Sequence, residues 1–78
     1  MENDTYEQFF DFLEIKCKEL KNDLPKLSIS NLKDKIIEWR NYLETPPKYL
    51  QGIAPEHIML INEVIEYLKE EILQRQAN

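Results

Sequence analysis

The hydrophobic positions of the first third of the chain repeat with a helical period. Alternating steps of four and three residues keep side chains on one stripe of an α-helix. Thr5 followed three residues later by Gln8 is the pattern of a capping box, which predicts a helix start near Tyr6. Pro25 disfavours helical geometry in the residue before it and predicts the end of this helix. The stripe, with Phe9 beside it, consists of Tyr6, Phe10, Leu13, Cys17, Leu20 and Leu24.

A second stripe with the same spacing follows Pro25. Either Ser28 or Ser30 is suited to cap the N-terminus of a second helix, because a serine oxygen accepts a backbone N–H of the first turn. The helix is predicted to stop before the paired prolines at 46 and 47. Its apolar stripe consists of Ile29, Leu32, Ile36, Trp39 and Leu43.

The third stripe is the most regular. Pro55 is tolerated in a first helical turn, and the Glu56 carboxylate is favourable near the positive end of the helix dipole. These residues predict a third helix that runs to about Arg75. Its apolar stripe consists of Ile58, Ile61, Ile65, Leu68 and Ile72.

The segment between the second and third helices, residues 45–54, is predicted to hold one short helical turn. Thr45 is suited to cap a turn that begins at Pro46, and Gly52 is free to adopt the left-handed conformation that ends it. Two interpretations stay open for this elbow. It is either a lid over one end of the bundle or an exposed recognition site that carries Tyr49.

Together these elements predict an all-α fold, an antiparallel three-helix bundle with a short helical turn between the second and third long helices. The chain of 78 residues is short enough to form a single domain over residues 1–78. Its one glycine argues against an all-β sandwich or barrel, which needs frequent turn residues. One glycine also excludes the glycine-rich loops that bind nucleotide phosphates.

Composition and charge narrow the classes of function. A hydrophobic content of 42% and a charged content of 32% are typical of a soluble globular protein. The net charge of −5 has the wrong sign for attraction to nucleic acid. The N-terminus lacks the pattern of a signal peptide, the longest apolar run is far too short to span a membrane, and the lone cysteine suits a reducing compartment. We therefore expect a cytoplasmic protein that binds neither nucleic acid nor membrane.

The residues that carry catalytic or metal chemistry are sparse. Cys17 and His57 form the only possible thiol dyad, but Cys17 falls on the core stripe, where a cysteine is a small hydrophobe with little thiolate. His57 is expected to face solvent or contact the elbow. Structural zinc needs four Cys or His ligands, and the chain has one of each. The sequence therefore predicts no enzyme, no catalytic residue, no metal, no cofactor and no small-molecule substrate.

Acidic side chains line the third helix opposite its core stripe. They are expected to form a solvated face, with attraction of a divalent ion or a basic partner as the alternative. Lys69 and Arg75 follow Glu66 and Glu71 at spacings of three and four residues, which predicts ordinary ion pairs along the helix. The acidic set consists of Glu56, Glu63, Glu66 and Glu70.

Large apolar residues exceed what three core stripes require. A second row on the third helix, which we call the outer row, widens its apolar arc to roughly half the circumference, against about 100° for a typical surface helix. Phe12 and Ile15 on the first helix, and Ile37 and Tyr42 on the second, also lie off the stripes. The surplus is covered by the elbow, by a second copy in a homodimer, or by a different protein. The outer row consists of Leu60, Val64 and Tyr67.

Residues 54–68 resemble the proline-started amphipathic helix of some small bacterial antitoxins. That resemblance implies structural roles for Pro55, Glu56, Val64 and Leu68, in a helix that packs against a toxin or another copy. The motif consists of a proline helix start followed by an aliphatic stripe.

The small acidic helical plan with its short turn is similar to that of the bacterial nuclease immunity proteins. This similarity implies a basic enzyme as partner. Those proteins carry paired tyrosines on the turn, whereas this chain has only Tyr49 there. The departure restricts the similarity to the overall architecture.

These patterns predict a small non-catalytic helical interaction or regulatory protein that acts by protein–protein binding as a homodimer. The alternative is an acidic inhibitor, of the antitoxin or immunity type, that neutralises a basic enzyme. The residues expected to bind the partner are Leu60, Val64, Tyr67, Phe12, Ile15 and Tyr49.

Overall fold

A computed structural model describes the backbone of residues 2–45 and 53–77, with side chains from residue 7 onward. Helix α1 spans Glu2–Asp23, α2 spans Ile29–Glu44 and α3 spans Pro55–Ala77, and a 3₁₀ turn at Leu24–Lys26 joins α1 to α2. Every regular element of the described residues is helical, which confirms the predicted all-α fold. The short helical turn predicted within the 45–54 elbow, with Tyr49, lies outside the described residues.

Helix α1 begins earlier than predicted. Its first residue is Glu2, so Thr5 lies inside the helix and does not cap it, and the predicted start near Tyr6 was wrong. A capping residue contributes only about 1 kcal/mol, which does not stop a helix when the residues before it also adopt helical geometry. The C-terminal end agrees with the prediction, because α1 ends at Asp23, two residues before Pro25.

A compact turn, which the sequence patterns did not predict, joins α1 to α2. Pro25 lies in the first turn of the 3₁₀ segment, and the backbone N–H of Leu27 donates to the Leu24 carbonyl at 3.2 Å. Ser28 then caps α2, since its Oγ accepts the Asn31 N–H at 3.1 Å. Of the two serines considered, the structure therefore selects Ser28.

The three helices run up, down and up. Near its N-terminal end, α1 brings the Phe10 ring within 5.5 Å of the His57 ring at the start of α3. At the other end, the Leu24 carbonyl lies 2.7 Å from the Arg75 guanidinium, so α1 and α3 are parallel. Phe12 of α1 contacts Tyr42 near the end of α2, which makes α2 antiparallel to both. The backbones of α2 and α3 pack closely, whereas α1 approaches α3 at fewer places.

The core follows the predicted stripes except near the N-terminal ends of two helices, where Phe9 is buried in place of Phe10 on α1 and His57 in place of Ile58 on α3. Trp39 is 2% exposed and is among the largest buried side chains. Ile58 was predicted to be in the core but is 39% exposed, because the buried arc of α3 is turned toward α1 and includes His57 and Val64. The buried hydrophobic residues are Phe9, Leu13, Leu20, Leu32, Ile36, Trp39, Ile61, Val64, Ile65, Leu68 and Ile72.

The Arg75 side chain holds the C-terminal end of α3 against the turn between α1 and α2. One guanidinium nitrogen donates to the Leu24 carbonyl at 2.7 Å and another donates to the Leu27 carbonyl. The Nε of Arg75 donates to Glu71 at 3.0 Å, which is the predicted ion pair and keeps the guanidinium oriented. Carbonyls at a helix end lack partners within the helix, and a planar guanidinium can satisfy two of them together. We call this set of contacts the Arg75 clasp.

Candidate protein-binding groove

A groove of about 410 Å³ lies between the parallel helices α1 and α3 on the side away from α2. Its floor is apolar and its two rims carry charged side chains, so it has the character of a protein-binding surface. We call it the α1–α3 groove. Its lining consists of Glu14, Cys17, Lys18, Leu20 and Lys21 from α1, and Leu60, Glu63, Val64 and Tyr67 from α3.

The outer row of α3 forms one wall of this groove. Val64 is buried against the core, Leu60 is half-buried, and Tyr67 is 49% exposed. The row therefore runs from the floor to the rim, with its aromatic member nearest to solvent. The sequence placed these three residues together on one side of α3, and the structure brings them together in one concavity.

The other three predicted partner-binding residues do not join the groove. Phe12 packs between α1 and α2, with its ring 6.3 Å from Phe9 and 5.6 Å from Tyr42, so the fold itself covers part of it. Ile15 is exposed on α1 and is not among the residues that line the groove. Tyr49 lies outside the described residues.

Tyr42 is the α2 residue that covers part of the Phe12 ring. Its ring packs 5.3 Å from Trp39, and its hydroxyl donates to a Glu38 carboxylate oxygen at 3.1 Å. Burial, together with the Glu38 charge and hydrogen bond, raises the pKa of the Tyr42 phenol to about 12. Lys35 pairs with the other Glu38 oxygen at 3.2 Å. This cluster closes the α1–α2 side of the bundle.

The two rims of the groove carry opposite charges. On the α1 rim, Lys18 and Lys21 are exposed and follow Glu14. On the α3 rim, Glu63 stands beside Tyr67, and a shallow concavity continues around α3 past Glu66 and Glu70. Over the described residues, none of Lys18, Lys21, Glu63 and Glu70 takes part in an ion pair. These four charges are therefore available to a partner.

Cys17 lies in the wall of the groove, half-buried and without a disulfide. Burial raises the pKa of its thiol; the Lys21 charge opposes this rise and the Glu14 charge adds to it. The sequence predicted a buried core cysteine with little thiolate. The structure leaves Cys17 half-buried in the groove, and only the direction of the pKa shift agrees with that prediction.

Alkylation of Cys17 by iodoacetamide is expected to be several-fold slower in the native protein than in urea at the same pH. The thiolate is the reacting species, and a raised pKa moves its formation to higher pH. The rate profile of the native protein should therefore lie at higher pH than that of the denatured protein, as followed by mass spectrometry. Equal rates in both states at every pH would contradict the shift.

His57 does not face solvent, which corrects one of the two placements expected for it. The side chain is 1% exposed, and its ring lies 4.8 Å from Phe9 in an edge-on contact. Its Nδ1 accepts the backbone N–H of Ala54 at 3.2 Å, so the predicted contact with the elbow is present. Ala54 occupies the N-cap position of α3, and a side chain three residues later that accepts the N-cap N–H is half of a capping box.

The acidic residues of α3 form the solvated face that the sequence predicts. Glu56, Glu63, Glu66 and Glu70 are all exposed, and Lys69 pairs with Glu66 at 3.4 Å. A second shallow acidic concavity lies near the N-terminal end of α3, where Glu7 and Asp11 of α1 and Glu56 surround Phe10. These carboxylates are spread over two faces and are not gathered around one point.

The structure does not bring Cys17 and His57 into one site, because Cys17 lines the groove and His57 packs against Phe9 and Phe10 outside it. In the part of the chain that is described, no group of three or more His, Cys, Asp or Glu residues is arranged to hold a metal ion. That the protein is not an enzyme stays a prediction.

Searches of protein-family models, curated proteins and solved structures found no match to this chain. The resemblances to antitoxins and to immunity proteins therefore stay interpretations of the sequence. None of the described helices combines the length and the apolar character needed to cross a membrane.

Proposed function

We propose that this protein acts without catalysis, by binding another polypeptide in the α1–α3 groove. The observation that carries this proposal is the outer row of α3. Leu60 and Tyr67 remain partly open to solvent beside the apolar floor that Cys17 and Leu20 contribute. Tyr67 takes no part in the core cluster, and Leu60 packs against that cluster while part of its side chain stays open to solvent.

The groove favours a helix as the bound element. Two parallel helices leave a straight channel between them, and an amphipathic helix laid in such a channel presents side chains at spacings of three and four residues. Tyrosine is enriched among the residues that dominate binding energy, because its ring is large and its hydroxyl tolerates the solvated rim. Tyr67 stands at that position.

Replacing Tyr67 with glutamate tests the proposal. The substitution places a charge where the partner must exclude water, so binding is expected to weaken by roughly 30-fold, which corresponds to about 2 kcal/mol. The readouts are molar mass by light scattering and the set of proteins retained by the immobilised protein. Tyr67 is partly exposed, so we expect the folded state to be retained, as checked by circular dichroism.

The matched control is Ile37→Glu, which places the same charge on α2, outside the groove, at a side chain that is 58% exposed. The proposal requires Ile37→Glu to behave as wild type while Tyr67→Glu loses mass or a retained protein. If both variants keep the wild-type mass and retain the same proteins, the groove is not the binding surface.

A second candidate function is supported by the acidic face beside Tyr67. Glu63, Glu66 and Glu70 surround the shallow concavity that adjoins the groove, and Lys69 neutralises only one of them. Such a face attracts a basic protein, as an inhibitor of the antitoxin or immunity type would. Under this alternative, association with a partner retained on the column slows steeply between low and physiological ionic strength. An association rate that does not change with salt would eliminate it.

A further inference from the structure

We propose that the occupant of the α1–α3 groove is a second copy of this chain, related by a two-fold axis parallel to the helices. This inference rests on the proposed function, because it names the partner for the same surface. The two rims of the groove are complementary to each other in charge, so the surface is complementary to a copy of itself.

The charge pattern of the rims carries the argument. Lys18 and Lys21 stand on α1, and the groove-lining Glu63 with its neighbour Glu70 stands on α3. A two-fold axis parallel to the helices places α1 of one copy opposite α3 of the other. A two-fold axis perpendicular to the helices, in the plane of the interface, places α1 opposite α1 and α3 opposite α3. The first arrangement brings the lysines of α1 to the glutamates of α3. The second sets the acidic side of α3, with Glu63, Glu66 and Glu70, against its own copy.

The heights of these residues along the bundle agree with that arrangement. Phe10 is level with His57 and Leu24 is level with Arg75, because these pairs are in contact. By interpolation along two parallel helices, Lys18 is level with Tyr67, next to Glu66, and Lys21 is level with Glu71, next to Glu70. A rotation about an axis parallel to the helices leaves heights unchanged. Lys18 therefore meets the Glu66 and Tyr67 level of the second copy, and Lys21 meets the level of its Glu70 and Glu71.

The same arrangement covers the open apolar surface. The two outer rows face each other across the axis, so Tyr67 and Leu60 of each copy are removed from water by the other. Four parallel helices, α1 and α3 from each copy, then surround an apolar centre that includes Cys17 and Leu20. Glu14 is the one rim residue that opposes the pairing, because it is level with Asn62 and Glu63.

Charge reversal on one rim at a time is the direct test. Lys18→Glu with Lys21→Glu makes both rims acidic, and Glu66→Lys with Glu70→Lys makes the α3 rim basic like the lysines of α1. Each double variant alone is expected to self-associate about 10-fold more weakly than wild type or worse. An equimolar mixture of the two variants is expected to recover dimers of near wild-type affinity, because each variant's α1 then opposes a complementary α3. Sedimentation equilibrium measures all three constants.

Controls of equal charge change come from exposed residues of α2. Lys33→Glu with Arg40→Glu, and Asp34→Lys with Glu44→Lys, alter the net charge by the same amounts away from the groove. These controls are expected to keep the wild-type dissociation constant. If the control variants lose as much affinity as the rim variants, net charge alone explains the loss and the proposed pairing is overturned.

The outcomes separate this inference from the proposed function. Rim variants that dimerise as wild type does, or a mixture that does not recover, overturn the parallel two-fold arrangement. A wild-type protein that stays monomeric at every concentration tested overturns the second copy as occupant. In that case the proposed function still stands if Tyr67→Glu loses a retained protein that Ile37→Glu keeps.

Discussion

Replacing Trp39 with alanine is expected to lower the free energy of unfolding by about 3–5 kcal/mol, as large-to-small substitutions of buried aromatic residues do. A domain of this size has a net stability of the same order, so the variant should be largely unfolded at room temperature. The expected loss of stability is large because the Trp39 ring lies in the core and packs against the Tyr42 ring, with the ring centres 5.3 Å apart. The consequence extends to the Phe12 contact between α1 and α2.

Circular dichroism in water and across a urea titration measures this loss, as a lowered helical signal without urea or as a transition at lower urea. Fluorescence is unsuitable, because Trp39 is the only tryptophan in the chain. Ile37→Ala is the matched control on the same helix, and its exposed side chain predicts a change within about 0.5 kcal/mol. If Trp39→Ala has a transition midpoint close to that of Ile37→Ala, the core described above is wrong.

Replacing His57 with alanine is expected to cost about 2–4 kcal/mol, which is large for a histidine. Two contributions are lost together. The first is packing against Phe9 and Phe10, and the second is the acceptor for the Ala54 N–H at the start of α3. Urea unfolding again gives the free energy.

Two further variants separate these contributions. His57→Gln keeps an acceptor for the Ala54 N–H, in the capping-box manner, but loses the ring contacts. His57→Phe keeps a ring and loses the acceptor. Both are expected to fall between wild type and His57→Ala. A loss for His57→Ala no larger than that for the neighbouring Ile58→Ala would show that the imidazole contributes no more than an ordinary half-exposed side chain.

The helices were predictable because their information is local. Each helical segment contains its own hydrophobic repeat of three and four residues. Pro25, Ser28 and Pro55 predict helix ends within one turn of the ends in the structure. The start of α1 was missed because a capping pattern is a weak preference. A helix that is favoured on both sides of such a pattern continues through it.

The rotation of α3 was not predictable from periodicity. A hydrophobic pattern scores Ile58 as core and His57 as polar, so it turns the first turn of the helix the wrong way. The imidazole is buried because it has two uses at once, as an aromatic neighbour of Phe9 and as an acceptor for Ala54. Both partners lie outside the apolar repeat of α3, so this repeat cannot predict that His57 is buried.

The candidate site was half predictable for a related reason. Residues on one face of one helix can be grouped from sequence, and Leu60, Val64 and Tyr67, which were grouped in this way, line one groove. Which neighbour covers each of them depends on how far α1 stands from α3, and that distance is a property of the whole bundle. Phe12 was assigned to a partner for the same reason, although α2 covers part of it with Tyr42.

The Arg75 clasp determines the order in which the bundle opens. Helix α1 packs less closely on α3 than α2 does, so it is the element whose backbone amides exchange with solvent hydrogen at the lowest free-energy cost. Its C-terminal end is held by the guanidinium contacts at the Leu24 and Leu27 carbonyls. We therefore expect amide hydrogen exchange in α1 to begin at its N-terminal turns and to advance toward the turn between α1 and α2. We expect the α2–α3 hairpin to be the more protected unit, because its two helices pack more closely.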